Sequence, residues 1–227
     1  MRPDYRAAAE RLAGELAARR IELVFGGGCV GLMGIVADAV IAAGGHAIGV
    51  IPHALVAREI AHRGLPDLRV VNSMHERKAM MADLSDAFIA LPGGFGTFEE
   101  FCEVVTWTQL GLHRKRCGLV NVAGFYDPLL ALFDRATAEG FIRSDNRDIV
   151  VAEADPAVLL DRLSTPPAAH GEKWLRSAEQ TEAEDRSPKV GGPMRRNMVD
   201  SGLNFRSRQV RHLLFQATEE RYIHGNQ

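Results

Sequence analysis

The chain has 227 residues, 46% of them hydrophobic and 25% charged, enough for one α/β domain with a sizeable core and an appendage. Its net charge of −2 conceals a basic excess beyond residue 168, so the upstream part is mildly acidic, which argues against nucleic-acid or membrane-surface binding. Cys29, Cys102 and Cys117 lack metal-ligand or redox spacing, and no apolar run approaches the roughly 20 residues that span a bilayer, so a cytoplasmic protein without metal, nucleic-acid or membrane partners is expected.

Tyr5, Ala8, Ala9, Leu12 and Leu16 recur at helical spacing, with Asp4 at the start and Arg19 and Arg20 at the end to suit the helix dipole. Asp4, Glu10 and Glu15 interrupt these first residues, which excludes a secretory signal. Short apolar runs follow at 23–25, 47–51, 68–71, 87–91, 119–122 and 149–152, separated by helical patterns. That alternation predicts βαβ units around a parallel sheet.

Ser73-Met74-His75-Glu76 and Thr97-Phe98-Glu99-Glu100 both read as capping boxes, and Asp127-Pro128 as an N-cap with proline at the first helical position, closed by Gly140. A last short helix is expected from Asp155-Pro156 to just before Thr165-Pro166-Pro167. The regular alternation then stops. The expected organisation is a domain over residues 1–165 and a tail over 166–227, mostly disordered, with a possible amphipathic helix from Ser207 to Arg221.

Two glycine loops carry the chemistry. Gly26, Gly28 and Gly31 form G-x-G-x-x-G between a predicted strand and helix. A dinucleotide site would want an acidic residue about 20 positions on, where the chain reads Gly49-Val50-Ile51-Pro52-His53. NAD is therefore disfavoured, and close packing of the strand–helix corner is the plain alternative. Pro92-Gly93-Gly94-Phe95-Gly96-Thr97 follows the most apolar strand and opens a helix. Glycines admit a ligand close to backbone amides, and the helix N-terminus adds free N–H groups and a positive dipole end, so a phosphate is the natural guest.

Three stretches, 26–34 (Gly-Gly-Gly-Cys-Val-Gly-Leu-Met-Gly), 74–78 (Met-His-Glu-Arg-Lys) and 92–100 (Pro-Gly-Gly-Phe-Gly-Thr-Phe-Glu-Glu), together resemble the LOG ("lonely guy") phosphoribohydrolase pattern in order and spacing. Val50-Ile51-Pro52, residues 106–111 and residues 121–130 support the resemblance, which covers about residues 3–164. It implies a Rossmann-like doubly wound parallel sheet, a homodimer or larger homo-oligomer, and no cofactor. It further implies hydrolysis of the N-glycosidic bond of AMP or a cytokinin riboside 5′-monophosphate, releasing base and ribose 5-phosphate. By motif position the catalytic pair falls on Arg77 and Glu100. Substrate contacts fall on Glu59, Arg77, Lys78, Gly93, Gly94, Phe95, Gly96, Thr97, Phe98, Glu99, Glu100 and Thr106.

Each of these residues also has a plainer role. Glu100 would cap its helix from the third position, Arg77 and Lys78 would be a solvated helix face, Glu59 a surface charge and Thr106 a core contact. Glu76 reads as a cap; Trp107, Met80 and Met81 read as core or subunit contacts. A non-catalytic nucleotide carrier is the alternative function. A pyridoxal-phosphate decarboxylase would need a Schiff-base lysine, and only Lys78, Lys115, Lys173 and Lys189 exist.

The resemblance also implies a strand and a Cys-Gly-Ser-Ser-type loop ahead of the first helix, whereas this sequence reaches that helix at Met1-Arg2-Pro3-Asp4-Tyr5. The first strand of such a sheet lies centrally. A missing first strand, an unpaired seam and a poorly stable or weakly active chain are therefore expected.

Overall fold

The structure is a computed structural model, and it describes residues 2–56 and 61–164 together with the backbone of 212–216. The chain divides into two units, one formed by Met1–Pro166 with Gln209–Gln227 and one by Pro167–Arg208. Every residue described below belongs to the first; apart from 212–216, the tail read as mostly disordered lies outside the described residues, as does Glu59.

The elements in order are α1 (Pro3–Arg19), β1 (Glu22–Phe25), α2 (Gly31–Ala42), β2 (Ala47–Pro52), α3 (His53–Val56), β3 (Asp67–Val71), α4 (Met74–Leu84) and β4 (Ala87–Ala90). There follow α5 (Phe95–Gln109), β5 (Cys117–Val120), a 3₁₀ turn (Val122–Gly124), α6 (Asp127–Ala138), α7 (Ser144–Arg147), β6 (Val150–Glu153), α8 (Pro156–Ser164) and β7 (His212–Gln216). All seven strands pair in parallel in the order β3-β2-β1-β7-β4-β5-β6. Buried on both faces, β2, β4 and β5 have no exposed residue, as helix-covered parallel strands require.

One apolar layer joins Leu12, Leu16, Val36 and Val40 of α1 and α2 to Leu159 and Leu163 of α8 over Leu23 and Phe25. The opposite layer joins Met81, Phe101, Val104 and Tyr126 to Val24, Val50 and Phe88. No helix among the described residues is long and apolar enough to cross a membrane.

Two expectations are corrected at the centre of the sheet. His212–Gln216 lies within the stretch read as an amphipathic helix, yet it is a strand between β1 and β4. It pairs Leu213 and Phe215 with Leu23 and Phe25 on one side and with Ala87 and Ile89 on the other. The seam is therefore not empty. Unsatisfied backbone groups along two buried strands cost more than a short helical pattern gains. β7 stands where a right-handed crossover through α1 would place the strand preceding β1, so the last of the described strands does the work expected of the first.

Smaller shifts have local causes. β5 begins two residues earlier than its apolar run suggested, and Val122 enters the 3₁₀ turn, where Ala123 has a left-handed φ of 54°. α6 starts at Asp127 itself, with Tyr126 at the N-cap. The Ser73 half of the capping box of α4 is formed: the Glu76 N–H donates to Ser73 Oγ at 3.1 Å, whereas Glu76 Oε2 reaches one residue further back and accepts from the Asn72 N–H at 2.8 Å. The proposed box at Thr97 is not. α5 begins three residues earlier than that reading, on an extended Gly94 N-cap with no side-chain cap. Glu100 thus sits beyond the capping position, and the capping role read for it is not formed.

Candidate functional site

Parallel pairing through β7 puts the carboxyl ends of β1 and β4 on one edge. There the order of strands reverses direction, with β1–β2–β3 running one way and β4–β5–β6 the other. Open α/β sheets bind ligands at this switch point. Both glycine loops arrive there, Gly26 after β1 and Gly93 after β4.

Arg77 projects from the first turn of α4 and is only 6% exposed, so it is no solvated face. Its Nε donates to the Val50 carbonyl at 3.1 Å, and Nη1 lies 3.8 Å from Met74 Sδ. Nη1 also lies 3.7 Å from Oε1 of Glu100 on α5, which is likewise 6% exposed. Gly26 makes this possible: a Cβ built there would fall 1.8 Å from Arg77 Nη2. Burial pushes the Glu100 carboxyl above its ordinary value, while the charges of Arg77 and Lys78 pull against that rise. The result is a desolvated carboxyl with a cation at its side, the arrangement of a group poised for acid–base or charge-stabilising work.

Lys78 is tied off differently. Its Nζ contacts Glu99 Oε1 at 2.5 Å and Glu103 Oε2 at 3.2 Å. Burial alone would lower its pKa, but the bonds to these two carboxylates outweigh it and hold the ammonium above its ordinary value. Glu103 was not singled out in the sequence; its position one helical turn past Glu99 was the available signal.

The second loop leads into a helix N-terminus that carries no side-chain cap. The N–H groups of this first turn of α5 have no carbonyl four residues back to bond. Gly93 admits the fully buried Thr97, whose Oγ1 would lie 2.1 Å from a Cβ at that position. Phe95 is 75% exposed at the mouth of this loop.

Not every expected contact gathers here. Phe98 stacks at 6.5 Å on Phe125 and meets Tyr126 edge-on at 6.4 Å, so its ring belongs to the core. The Thr106 hydroxyl donates to the Cys102 carbonyl at 2.7 Å on an exposed face of α5. No described contact joins it to Arg77 or Glu100. Among the described residues no group of three or more His, Cys, Asp or Glu is placed to hold a metal ion.

A family model described as "Possible lysine decarboxylase" matches residues 33–163. The chain is 53% identical over 171 residues to a probable cytokinin riboside 5′-monophosphate phosphoribohydrolase, LOGL1, of Oryza sativa subsp. japonica, covering 75% of this chain and 77% of the relative. This chain belongs to the LOG family. A second LOG relative, the cytokinin riboside 5′-monophosphate phosphoribohydrolase LOG7 of Arabidopsis thaliana, is 51% identical over 162 residues, 71% of this chain and 75% of the relative. The molybdenum cofactor binding protein of Rippkaea orientalis shares the LOG-like fold at a TM-score of 0.55 and 19% identity, covering 71% of this chain and 87% of that one.

The decarboxylase description finds no suitable lysine among the described residues. Imine formation needs a readily deprotonated amine, whereas Lys78 is held protonated by Glu99 and Glu103. Burial does lower the Lys115 pKa, but its Nζ donates to the Ala82 carbonyl at 2.6 Å ahead of β5, at the sheet edge opposite the glycine loops.

Proposed function

We propose that this LOG-family chain hydrolyses the N-glycosidic bond of a purine nucleoside 5′-monophosphate, AMP or a cytokinin riboside monophosphate, yielding free base and ribose 5-phosphate. The observation that carries this reading is the buried Arg77–Glu100 pair beside the uncapped N-terminus of α5. The phosphate sits on the N–H groups that open α5. As the C1′–N bond breaks, positive charge builds on the ribose, as in glycoside hydrolysis. Ionised Glu100 stabilises that charge and takes a proton from the attacking water, whose oxygen bonds C1′. The bonding pair leaves with the base, which takes up the proton that water gave to Glu100 and so returns the carboxylate to its ionised form, and Arg77 supports the departing base or the phosphate. No metal or cofactor is required by these steps.

The enzyme acts in the cytoplasm as a homodimer or larger homo-oligomer. Leu110 and Leu112, 61% and 70% exposed beyond the end of α5, support a subunit contact there.

The test is to incubate the full chain with AMP, isopentenyladenosine 5′-monophosphate and adenosine, following free base by chromatography. Release from a monophosphate and not from adenosine is expected. Equal rates on AMP and adenosine overturn the phosphate-directed reading, and binding of monophosphates without release of base favours the carrier.

A further inference from the structure

We propose that Tyr126 is a positioning residue for the phosphate loop, holding the path of Pro92–Gly94 from outside the site. The inference rests on reading that loop as the place where the 5′-phosphate binds. Tyr126 is 1% exposed and among the largest fully buried side chains. Its hydroxyl donates to the carbonyl of Leu91, the residue immediately ahead of the loop, at 2.6 Å. Its ring meets the edge of Phe98, in the first turn after the loop, at 6.4 Å. One side chain thus touches the chain on both sides of the three residues that bend β4 into α5.

Within that bend the buried Thr97 packs against Gly93, and Tyr126 adds a hold on the chain to either side. Pro92 has no N–H to give, Gly94 caps α5 with no side chain, and Gly93 and Gly94 carry the widest conformational freedom. Tyr126 is itself anchored: its N–H donates to Asn121 Oδ1 at 2.7 Å, and Asn121 Nδ2 donates to Asp127 Oδ1 at 2.7 Å. Phe125 packs perpendicular to it at 5.0 Å. The anchor therefore runs from the turn after β5, through Tyr126, to the end of β4. Burial raises the phenol pKa, so the hydroxyl remains a donor throughout the working pH range.

A purely structural hydroxyl supplies the control. Ser85, 2% exposed at the far end of α4, donates to the Met81 carbonyl at 2.7 Å, just ahead of β4 and so at the opposite edge of the sheet. Tyr126→Phe and Ser85→Ala each delete one buried hydroxyl-to-carbonyl bond. They are compared in the full chain, well below either melting temperature, by kcat and KM for the best monophosphate substrate and by calorimetric binding of ribose 5-phosphate.

Both variants should melt somewhat lower. Only Tyr126→Phe should raise KM and the ribose 5-phosphate Kd, by about tenfold, equivalent to about 1.4 kcal/mol, with kcat nearly unchanged. Unchanged KM and Kd in Tyr126→Phe, or equal rises in Ser85→Ala, overturn the proposal. Should the wild-type chain hydrolyse no monophosphate, the functional reading fails, while the ribose 5-phosphate Kd still reports on the loop.

Discussion

The two glycine loops look alike in sequence and do opposite things. Each follows a buried strand, opens a helix and lies at the carboxyl edge beside β7. At the first, the missing side chain makes room for the protein's own cation, since a Cβ on Gly26 would collide with the Arg77 guanidinium. At the second, it makes room for Thr97, ahead of a helix start that no side chain caps and that we propose seats the phosphate. A glycine motif therefore marks close approach, and what approaches is decided by elements far away in sequence.

The sharpest test of this division removes the partner of the first loop's cation. Glu100→Gln should lower turnover on the order of a thousandfold with a far smaller change in melting temperature at neutral pH, because removing a buried carboxylate and leaving the buried Arg77 without its charge partner act in opposite directions. Parallel losses of activity and melting temperature would instead make Glu100 structural.

Next in size, Gly26→Ala should displace Arg77 and lower kcat by about tenfold to a hundredfold. Gly93→Ala should act mainly on KM for the monophosphate, by about tenfold, because it crowds Thr97 and the phosphate seat. If steady-state kinetics find both substitutions in the same parameter, the contrast between the loops fails.

The smallest expected effect is a pH dependence. The proposed mechanism uses ionised Glu100, and burial raises its pKa, so the acid limb of kcat/KM should lie above the ordinary glutamate value of about 4.3. A raised folded-state pKa gives stability that is complete below the unfolded pKa and lost as pH rises through the folded one. The melting temperature of wild type relative to Glu100→Gln should therefore fall from pH 4 to pH 8. A flat or rising difference would count against the raised pKa.

How far the sequence discloses these features depends on whether their causes are local. The six strands from β1 to β6 and the helices between them follow from apolar runs and from caps such as Ser73–Glu76 and Asp155, whose Oδ1 accepts from the Ala157 N–H at 2.9 Å. Arg77 and Glu100 are legible through their motifs, but their burial is not, since it depends on Gly26 and Val50 closing over the guanidinium. The start of α5 is misread because Pro92-Gly93-Gly94 looks like loop and Thr97 like a cap, although a glycine can serve as N-cap. Tyr126 passes unnoticed, as the carbonyl it holds lies 35 residues away. β7 is the extreme case: five residues inside an apparent amphipathic helix form a strand because the sheet supplies partners for them on both sides.

That strand has a consequence for how the protein is made. The ribosome delivers Arg77, Glu100 and both glycine loops long before His212, and Glu22 must wait for a partner 190 residues downstream. Until then β1 and β4 expose two unpaired parallel edges, the kind of surface that recruits other chains, and such distant pairing is slow to form. The nascent chain therefore carries Arg77, Glu100 and both glycine loops before the strand that joins its two half-sheets has been made. Its need for chaperones, and its sensitivity to interrupted translation, should be concentrated in that interval.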